Sequence, residues 1–433
     1  MHLLFRDATL IHPGAEGAPP RADLRVRDGV IAEIGPSLPN LGAQEIPCEG
    51  AWLAPGFVQT HVHLVQTLFR GLADDLALMD WLRTRIWPFE ASHDEESAYF
   101  SARLGLTELL LGGTTAILDM ASVRHTDSIL RACEESGVKA AVGRAMMDLE
   151  NEAGLSEATE RSLRGASDEA DRWHGRGRLR YAFAPRFVPS CSEGLLREVA
   201  AEARRRGCLI HTHASENRDE VELVRQMTGR ENVQYLHDVG LSGPDVCLAH
   251  CIHLSDAEVR LLAETGTRVL HCPSSNLKLA SGLAKIPELL DAGVHVSLGA
   301  DGAPCNNRLD MFTEMRLAAL TQKPRLGATV MPARQVYELA TAKGAEALGL
   351  NSGRLEVGRP ADLVLLRPDL PEVLPSPDPA SAMVYAMSPA SVDSVWVDGQ
   401  ALVRGHRVLA WDWDETVAGV RASLARVRAR AGR

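Results

Sequence analysis

Short apolar segments alternate with helix-like stretches through the middle of the chain, from about residue 54 to about residue 350. The apolar segments are TTAILDM, VKAAVGR, RLRYAFAP, CLIHTHA, DVCLAHC, TRVLHCP and HVSLGAD, and helical stretches such as SEGLLREVAAEARRRG lie between them. This alternation is typical of a parallel sheet covered by helices. The chain from His61 to Asp301 divides into seven intervals of about 34 residues, which suits an eightfold barrel of typically ~250 residues. A doubly wound open sheet fits the alternation as well.

The two ends of the chain carry a different pattern, in which alternating apolar positions surround Asp-Gly pairs. Asp28-Gly29 lies within DLRVRDGVIAEIG and Asp398-Gly399 lies within VDSVWVDGQALVRG, and both pairs are signals for a hairpin turn. We therefore expect one small β-domain assembled from both termini. The final segment, ETVAGVRASLARVRARAGR, places apolar residues at helical spacing, which predicts an amphipathic helix that packs on the body of the protein.

The net charge of −11 argues against partners with anionic surfaces. Nucleic acids and anionic membranes select for basic proteins, so the acidic balance favours chemistry on a small molecule. No stretch reaches ~18 uninterrupted apolar residues, so we expect no membrane span. The eight cysteines form no CxxC pair, and the segment MHLLFRDATLIHPGAEG lacks the features of a secretory signal. These observations predict a cytoplasmic protein without a disulfide framework or a zinc ribbon.

Side chains that bind metals stand at the ends of several predicted strands, and they are His61, His63, His211, His213, His250, His271 and Asp301. Side chains two residues apart in a strand point to the same side, so His61 and His63 can converge on one point. The carboxyl ends of barrel strands form the active-site face, so these residues should meet in space. His61, His63, one histidine of HTHASE and Asp301 supply the ligand count of a catalytic divalent site. Imidazole with carboxylate suits zinc, and iron is compatible.

The same strand ends offer candidates for acid–base chemistry. Glu216 enters the turn three residues after His213, where a carboxylate outside the metal shell could take a proton from water and deliver it to a leaving group. A glutamate favoured by a helix N-terminus is the plainer interpretation. His250 is the second acid–base or electrophile candidate. His253 lies past the predicted strand end, and His271 is better explained as structural support.

The motifs PGFVQTHVH, HTHASE, LAHCIHL, HCPSSNLKLASG and SLGADGAPCNN resemble, in this order and spacing, the amidohydrolase superfamily of metal-dependent hydrolases. The resemblance is to its branch of nucleobase, nucleoside and triazine aminohydrolases, and it covers nearly the whole chain. It implies an α/β fold with a distorted TIM (β/α)8 barrel over residues 54–352. A small composite β-sandwich domain would be built from residues 1–53 and 353–433, the latter including the C-terminal helix.

The resemblance also implies roles for individual residues. One metal, usually zinc, would be held by His61, His63, His213 and Asp301. Glu216 would shuttle protons, His250 would polarise the water or the reacting carbon, and Asp301 would accept a proton from the water. The implied reaction is attack of metal-bound hydroxide on an amino-bearing ring carbon, followed by loss of ammonia.

The segment LADDLALMDWLRTRIWPFE resembles the lid of deaminases that act on 5′-deoxyadenosine, methylthioadenosine or S-adenosylhomocysteine. By this resemblance Glu90 would bind the ribose hydroxyls. Arg144 matches an arginine that holds the amino-acid carboxylate of S-adenosylhomocysteine in some of these enzymes, and a structural ion pair explains it equally well. Cys305 stands at a substrate contact where some members carry a serine, and a thiol makes the weaker hydrogen bond.

Gln66 and Arg186 resemble instead the residues with which guanine-type deaminases read the guanine edge and its oxo group. The segment DGAPCNNRLDMFTEMRLA and the WPFE part of the lid resemble the adenosine-type deaminases more closely. We therefore expect deamination of an adenosine-type nucleoside, with guanine or 8-oxoguanine as the alternative substrate. A triazine hydrolase that releases chloride or alkylamine is a further alternative. A catalytically silent metal-binding protein is the alternative from another class, and the intact Glu216, His250 and Asp301 weigh against it. Homo-oligomers are common in this family, so self-association is a further expectation.

Overall fold

The computed structural model describes residues 2–13 and 19–432. Within these ranges the strands are β1 (His2–Leu10), β2 (Arg21–Arg27), β3 (Val30–Gly35), β4 (Gln44–Pro47), β5 (Trp52–Pro55), β6 (Phe57–His63), β7 (Thr114–Met120), β8 (Lys139–Gly143), β9 (Ala145–Met146), β10 (Leu179–Pro185), β11 (Leu209–Ala214), β12 (Val246–His250), β13 (Arg268–His271), β14 (Val296–Leu298), β15 (Asp301–Gly302), β16 (Leu363–Leu366), β17 (Val392–Val397), β18 (Gln400–Arg404) and β19 (Arg407–Val408).

The α-helices of the described residues are α1 (Leu78–Trp81), α2 (Trp87–Ala91), α3 (Glu95–Leu111), α4 (Thr126–Ser136), α5 (Thr159–Trp173), α6 (Glu193–Arg206), α7 (Arg218–Thr228), α8 (Asn232–Asp238), α9 (Asp256–Thr265), α10 (Pro273–Lys278), α11 (Ile286–Asp291), α12 (Ala303–Asn306), α13 (Met311–Leu320), α14 (Lys323–Leu326), α15 (Ala333–Ala340), α16 (Ala342–Ala347), α17 (Pro379–Tyr385) and α18 (Trp413–Arg430). A π-helical turn, Leu82–Ile86, joins α1 to α2, and 3₁₀ turns occupy Leu64–Phe69, Val188–Ser190 and Pro389–Ser391.

A parallel sheet curls into a barrel in the middle of the chain. Its strand order is β14-β13-β12-β11-β10-β8-β7-β6-β15. The last strand is interrupted, so that β14 and β15 are its two parts, and the Thr60 hydroxyl in β6 donates to the Leu298 carbonyl in β14 at 2.8 Å. Strands β6, β7 and β12 are buried along their whole length, as expected for parallel strands covered on both faces. The distorted (β/α)8 barrel is confirmed, and the open doubly wound sheet was wrong because the first and last strands meet.

A second sheet joins the two ends of the chain. Its order is β19-β18-β17-β16-β5-β1-β2-β3, with β4 beside β1, and most of its neighbours are antiparallel. Asp28-Gly29 connects β2 to β3 and Asp398-Gly399 connects β17 to β18. All four turn residues have positive φ, between 46° and 83°, as a tight hairpin turn of the primed type requires. The composite β-domain is therefore confirmed.

The predicted domain limits stay a prediction. Strand β5 crosses the predicted boundary at residue 53, since it pairs with β16 through Pro55. Met1, residues 14–18 and Arg433, which the predicted β-domain includes, lie outside the described residues.

The predicted C-terminal helix is α18, and it packs against α3. Gly419 approaches the ring of Phe100 so closely that a Cβ there would lie 2.1 Å from a ring carbon. Arg103 of α3 donates to Glu415 at 2.7 Å and reaches the Asp412 carbonyl. Over residues 2–13 and 19–432, no helix combines the length and apolar character needed to cross a membrane.

Candidate metal centre and active site

Four residues from three strands converge at the carboxyl end of the barrel. His61 and His63 end β6, His213 lies near the end of β11, and Asp301 begins β15. Asp301 Oδ1 lies 3.3 Å from His61 Nε2 and 3.4 Å from His63 Nε2. His63 Nε2 lies 3.2 Å from His213 Nε2. Three imidazole nitrogens and a carboxylate oxygen thus surround one point.

The hydrogen bonds of His63 and His213 determine which ring nitrogen carries the proton. The Nδ1–H of His63 donates to the Met120 carbonyl at 2.8 Å, and the Nδ1–H of His213 donates to the Arg186 carbonyl at 2.6 Å. A carbonyl only accepts, so each Nε2 keeps its lone pair and points it at the shared centre. Burial lowers the pKa of His63 to about 3, and it also lowers the pKa values of His61 and His213. Neutral imidazole is the form that binds a metal.

These donors fit a divalent metal. The ligand atoms of His61, His63 and Asp301 all lie within 4.8 Å of one another, as do those of His61, His213 and His250. His61 Nε2 is buried and has no hydrogen-bond partner among the described residues. Histidine nitrogens and carboxylate oxygens are donors that bind zinc in proteins. Both the types of donor atom and the distances between them therefore fit a bound divalent metal.

Asp301 is held in its position by neighbours and by an unusual backbone. Its Oδ2 accepts the Ser275 hydroxyl at 2.6 Å, and its Oδ1 accepts the Gly302 backbone N–H at 2.7 Å. Burial opposes its charge, but the neighbouring imidazoles, first of all that of His61, lower the pKa of Asp301 well below its usual value. Its φ of 62° is in the left-handed region, which costs energy for a residue with a Cβ and is common at functional sites.

Glu216 and His250 lie next to each other beside the cluster. His250 Nε2 lies 3.6 Å from Glu216 Oε2 and 3.8 Å from Asp301 Oδ2. Burial raises the pKa of Glu216 to about 7. Burial opposes the charged form of His250, yet Glu216 and Asp301 outweigh it and raise the pKa of His250. Two titratable groups with raised pKa values thus face the same cavity.

The cavity at this cluster is small, and it is covered by Leu78, Trp81 and Leu82 of the predicted lid segment, residues 72–90. Its volume is about 30 Å³, and it is lined by His63, Gln66, Leu78, Trp81, Leu82, Arg186, Phe187, His213, Glu216, His250, Leu279 and Asp301. A second cavity, of about 800 Å³, includes Met79, Arg83 and Trp87 from other positions of the same lid and shares Phe187. The lid therefore lies between the two spaces.

Glu90 lies behind the cavity wall rather than in it. Its side chain is fully buried and forms an ion pair with Arg186, with Glu90 Oε2 3.0 Å from Arg186 Nη1. Gln66 Nε2 donates to Glu90 Oε1 at 2.8 Å, and the Ser122 hydroxyl donates to Oε2 at 3.2 Å. Gln66 and Arg186, which do line the cavity, are both held by this carboxylate.

Two other predicted substrate-binding residues do not line this cavity. Arg144 Nη1 lies 3.2 Å from Glu157 Oε2, and its Nε lies 3.3 Å from Glu169 Oε1. The Cys305 thiol is buried and donates to the Gly302 carbonyl at 3.0 Å. Arg144 therefore forms a structural ion pair, which was one of the two interpretations that the sequence allowed.

A sequence model of the amidohydrolase family matches residues 52–402. The chain belongs to the amidohydrolase family. It is 42% identical to 5′-deoxyadenosine deaminase of Methanothermobacter thermautotrophicus over 89% of this chain and 90% of that protein. It is 40% identical to 5-methylthioadenosine/S-adenosylhomocysteine deaminase of Desulforudis audaxviator over 96% of each chain. An adenosine deaminase of Xanthomonas campestris, solved with bound zinc, superposes with a TM-score of 0.93 at 30% identity, covering 99% of this chain and 98% of that one.

The remaining barrel histidines of this amidohydrolase lie in a second layer or away from the cluster. His211 Nε2 lies 2.7 Å from His61 Nδ1 and so stands behind a candidate ligand. His253 donates to the Ser281 carbonyl at 2.7 Å. Neither ring nitrogen of His271 has a partner among the described residues.

Several supporting groups of the amidohydrolase site were not predicted from the sequence. Asn276 Oδ1 accepts the Nδ1–H of His250 at 2.8 Å, and it belongs to the HCPSSN motif, which was the available signal. The Glu220 carboxylate accepts the backbone N–H groups of Ser215, Glu216 and Asn217. The signal for Glu220 was its place three residues after a helix-capping Asn217.

Proposed function

We propose that this amidohydrolase is a deaminase that hydrolyses the 6-amino group of an adenosine-type nucleoside and releases ammonia. Its substrate would be 5′-deoxyadenosine, methylthioadenosine or S-adenosylhomocysteine. The observation that carries the proposal is one cavity whose lining brings two neutral imidazoles, those of His63 and His213, together with Asp301 and the Glu216–His250 pair. The relatives named as deaminases of these nucleosides support the substrate class. The enzyme class is a hydrolase that acts on C–N bonds.

The metal would be one divalent ion, held by His61, His63, His213 and Asp301. The zinc of the Xanthomonas structure and the nitrogen-rich donor set support zinc, with Fe²⁺ as the alternative. A bound divalent ion lowers the pKa of water, so that a strong oxygen nucleophile is present at neutral pH.

The side chains of Glu216, His250 and Asp301 would transfer protons or donate hydrogen bonds during the reaction. Glu216 accepts a proton from the attacking water on its carboxylate and returns it to the departing amino nitrogen. A pKa of about 7 suits both directions of this transfer. His250, whose raised pKa favours the imidazolium, donates from Nε2 toward the oxygen that adds to the ring. Asp301, which is ionised at rest, would accept the second proton of the attacking water, and this proton would pass to the ring nitrogen beside the reacting carbon as ammonia leaves.

The lid would admit the substrate by moving. A space of about 30 Å³ holds no nucleoside, whereas the adjoining space of about 800 Å³ on the other side of the lid has room for the sugar and its 5′ substituent. The π-helical turn Leu82–Ile86 lies within this lid, and such turns occur often at functional sites.

An oxopurine base, such as guanine or 8-oxoguanine, is the second candidate substrate. Gln66 and Arg186 line the cavity, and the Gln66 Oε1 acceptor has no partner among the described residues. An acceptor next to a guanidinium matches the N–H and oxo groups of such a base. Glu90, by contrast, already receives hydrogen bonds from three side chains and would have to release one to bind a ribose.

The deciding experiment measures ammonia release from the zinc-loaded enzyme. The substrates are adenosine, 5′-deoxyadenosine, methylthioadenosine, S-adenosylhomocysteine, guanine and 8-oxoguanine. We expect turnover of the 6-amino nucleosides, and turnover of the oxopurine bases alone would overturn the leading assignment. Glu216→Gln is the control, since it should retain the metal and lose turnover.

Cell location and assembly remain proposals as well. The eight cysteines are all free and buried, which fits the reducing cytoplasm that we propose as the location. The partner is a small-molecule substrate, and self-association stays a prediction.

A further inference from the structure

His211 is packed against the candidate ligand His61 inside the barrel. The two residues lie on β11 and β6, and both are fully buried. His211 Nε2 lies 2.7 Å from His61 Nδ1, and the ring planes are nearly perpendicular, at 87°. This distance is at the short end of the range for hydrogen bonds with an N–H donor.

The tautomer of His61 determines which of the two rings donates this hydrogen bond. His61 Nε2 points toward Asp301 Oδ1, at 3.3 Å, and is the nitrogen available for a metal. A neutral imidazole that uses Nε2 as a ligand carries its proton on Nδ1. His61 therefore donates from Nδ1, and His211 accepts at Nε2. His211 then carries its own proton on Nδ1, which has no partner among the described residues.

This arrangement differs from that of the other two imidazoles. His63 and His213 donate to the backbone carbonyls of Met120 and Arg186, which are present whatever the side chains are. His61 depends on a side chain for the same support. We propose that His211 is a positioning residue that holds the tautomer and the ring angle of His61, and thereby strengthens metal binding. The inference rests on the metal site of the proposed function and is independent of the substrate.

The test compares side chains that differ in their ability to accept this proton. His211→Gln places an amide oxygen near the position of Nε2, whereas His211→Asn is too short to reach it and His211→Leu cannot accept. His271→Leu is the matched control, because it also removes a buried barrel histidine. Zn²⁺ affinity is measured on the metal-free proteins by competition with a chromophoric chelator, and the visible spectrum is recorded after Co²⁺ loading.

We expect His211→Leu and His211→Asn to bind Zn²⁺ about 10- to 100-fold more weakly and to alter the Co²⁺ spectrum, as loss of an outer partner of a metal ligand typically does. His211→Gln should keep affinity within about threefold of the original, and His271→Leu should leave affinity and spectrum unchanged. If His211→Leu does not fold, the difference in Zn²⁺ affinity between His211→Gln and His211→Asn tests the inference.

Equal affinity and spectra for the Gln, Asn and Leu variants and the original protein would overturn the inference, and so would a His211→Gln variant as weak as His211→Asn. Neither result affects the proposed function. A failure of the original protein to bind Zn²⁺ or Co²⁺ stoichiometrically would overturn the proposed function, and the inference with it.

Discussion

The Arg186 guanidinium and the Glu90 carboxylate form a buried ion pair, with Nη1 and Oε2 3.0 Å apart and both side chains at most 4% exposed. The same carboxylate accepts the Gln66 amide, so two residues of the cavity wall are held by one group behind it. Breaking a buried pair leaves an uncompensated charge in a poorly solvated place. Glu90 therefore holds two side chains of the cavity wall in position, whether or not it also binds a substrate.

Replacing Glu90 with Ala should destabilise the protein by about 3–5 kcal/mol, since Arg186 would lose its buried partner. It should also lower kcat/KM for every substrate, because Gln66 and Arg186 lose their positions. Denaturant unfolding and steady-state kinetics measure the two effects. A kcat/KM that falls for nucleosides but not for a free base would show that Glu90 acts on the ribose instead.

Replacing Arg144 with Met removes a second largely buried ion pair, to Glu157 and Glu169, outside the catalytic cavity. Burial raises the pKa of Glu169 to about 7, so this carboxyl can take up a proton and limit the loss of stability. We expect a lower melting temperature with an unchanged ratio of kcat/KM for S-adenosylhomocysteine over 5′-deoxyadenosine. A selective loss for S-adenosylhomocysteine would support the carboxylate-binding role that the sequence suggested.

The activity should fall in acid because Glu216 must be ionised to accept a proton. Burial raises its pKa to about 7, and a bound divalent cation, which favours the carboxylate, moves the midpoint lower. We expect kcat/KM to decline about tenfold per pH unit below that midpoint. Bound metal is measured at each pH as the control. A flat profile between about pH 5 and pH 8, with metal retained, would remove Glu216 from this role.

Removing the metal should abolish turnover and lower the melting temperature. Without a cation, three imidazoles and a carboxylate remain crowded within a few ångströms, and a ligand that binds only the folded state at 100 times its Kd adds about 2.7 kcal/mol. Calorimetry before and after chelation, and again after Zn²⁺ is restored, measures the shift. An identical melting temperature in all three states would argue against a metal at this cluster.

Much of the fold could be predicted because it depends on local patterns. Strand–helix alternation with polar residues at strand ends identified the barrel strands, and the Asp-Gly pairs identified the hairpins at both ends. Closure of the barrel was not a local property. It depends on contacts such as that from Thr60 to Leu298, which are 238 residues apart in the sequence.

The residues available for chemistry can be identified from the amino-acid sequence: His61 and His63 on one side of a strand, the HTHASE and LAHCIHL motifs, and Asp301. Which of these residues contact one another is visible only in the folded chain. The tertiary structure places His213 in the cluster and His211 behind His61, turns Glu90 toward Arg186, and commits Arg144 to Glu157 and Glu169. These contacts could not be predicted because each one depends on the distance between atoms far apart in the chain, and no local pattern of residues contains that distance.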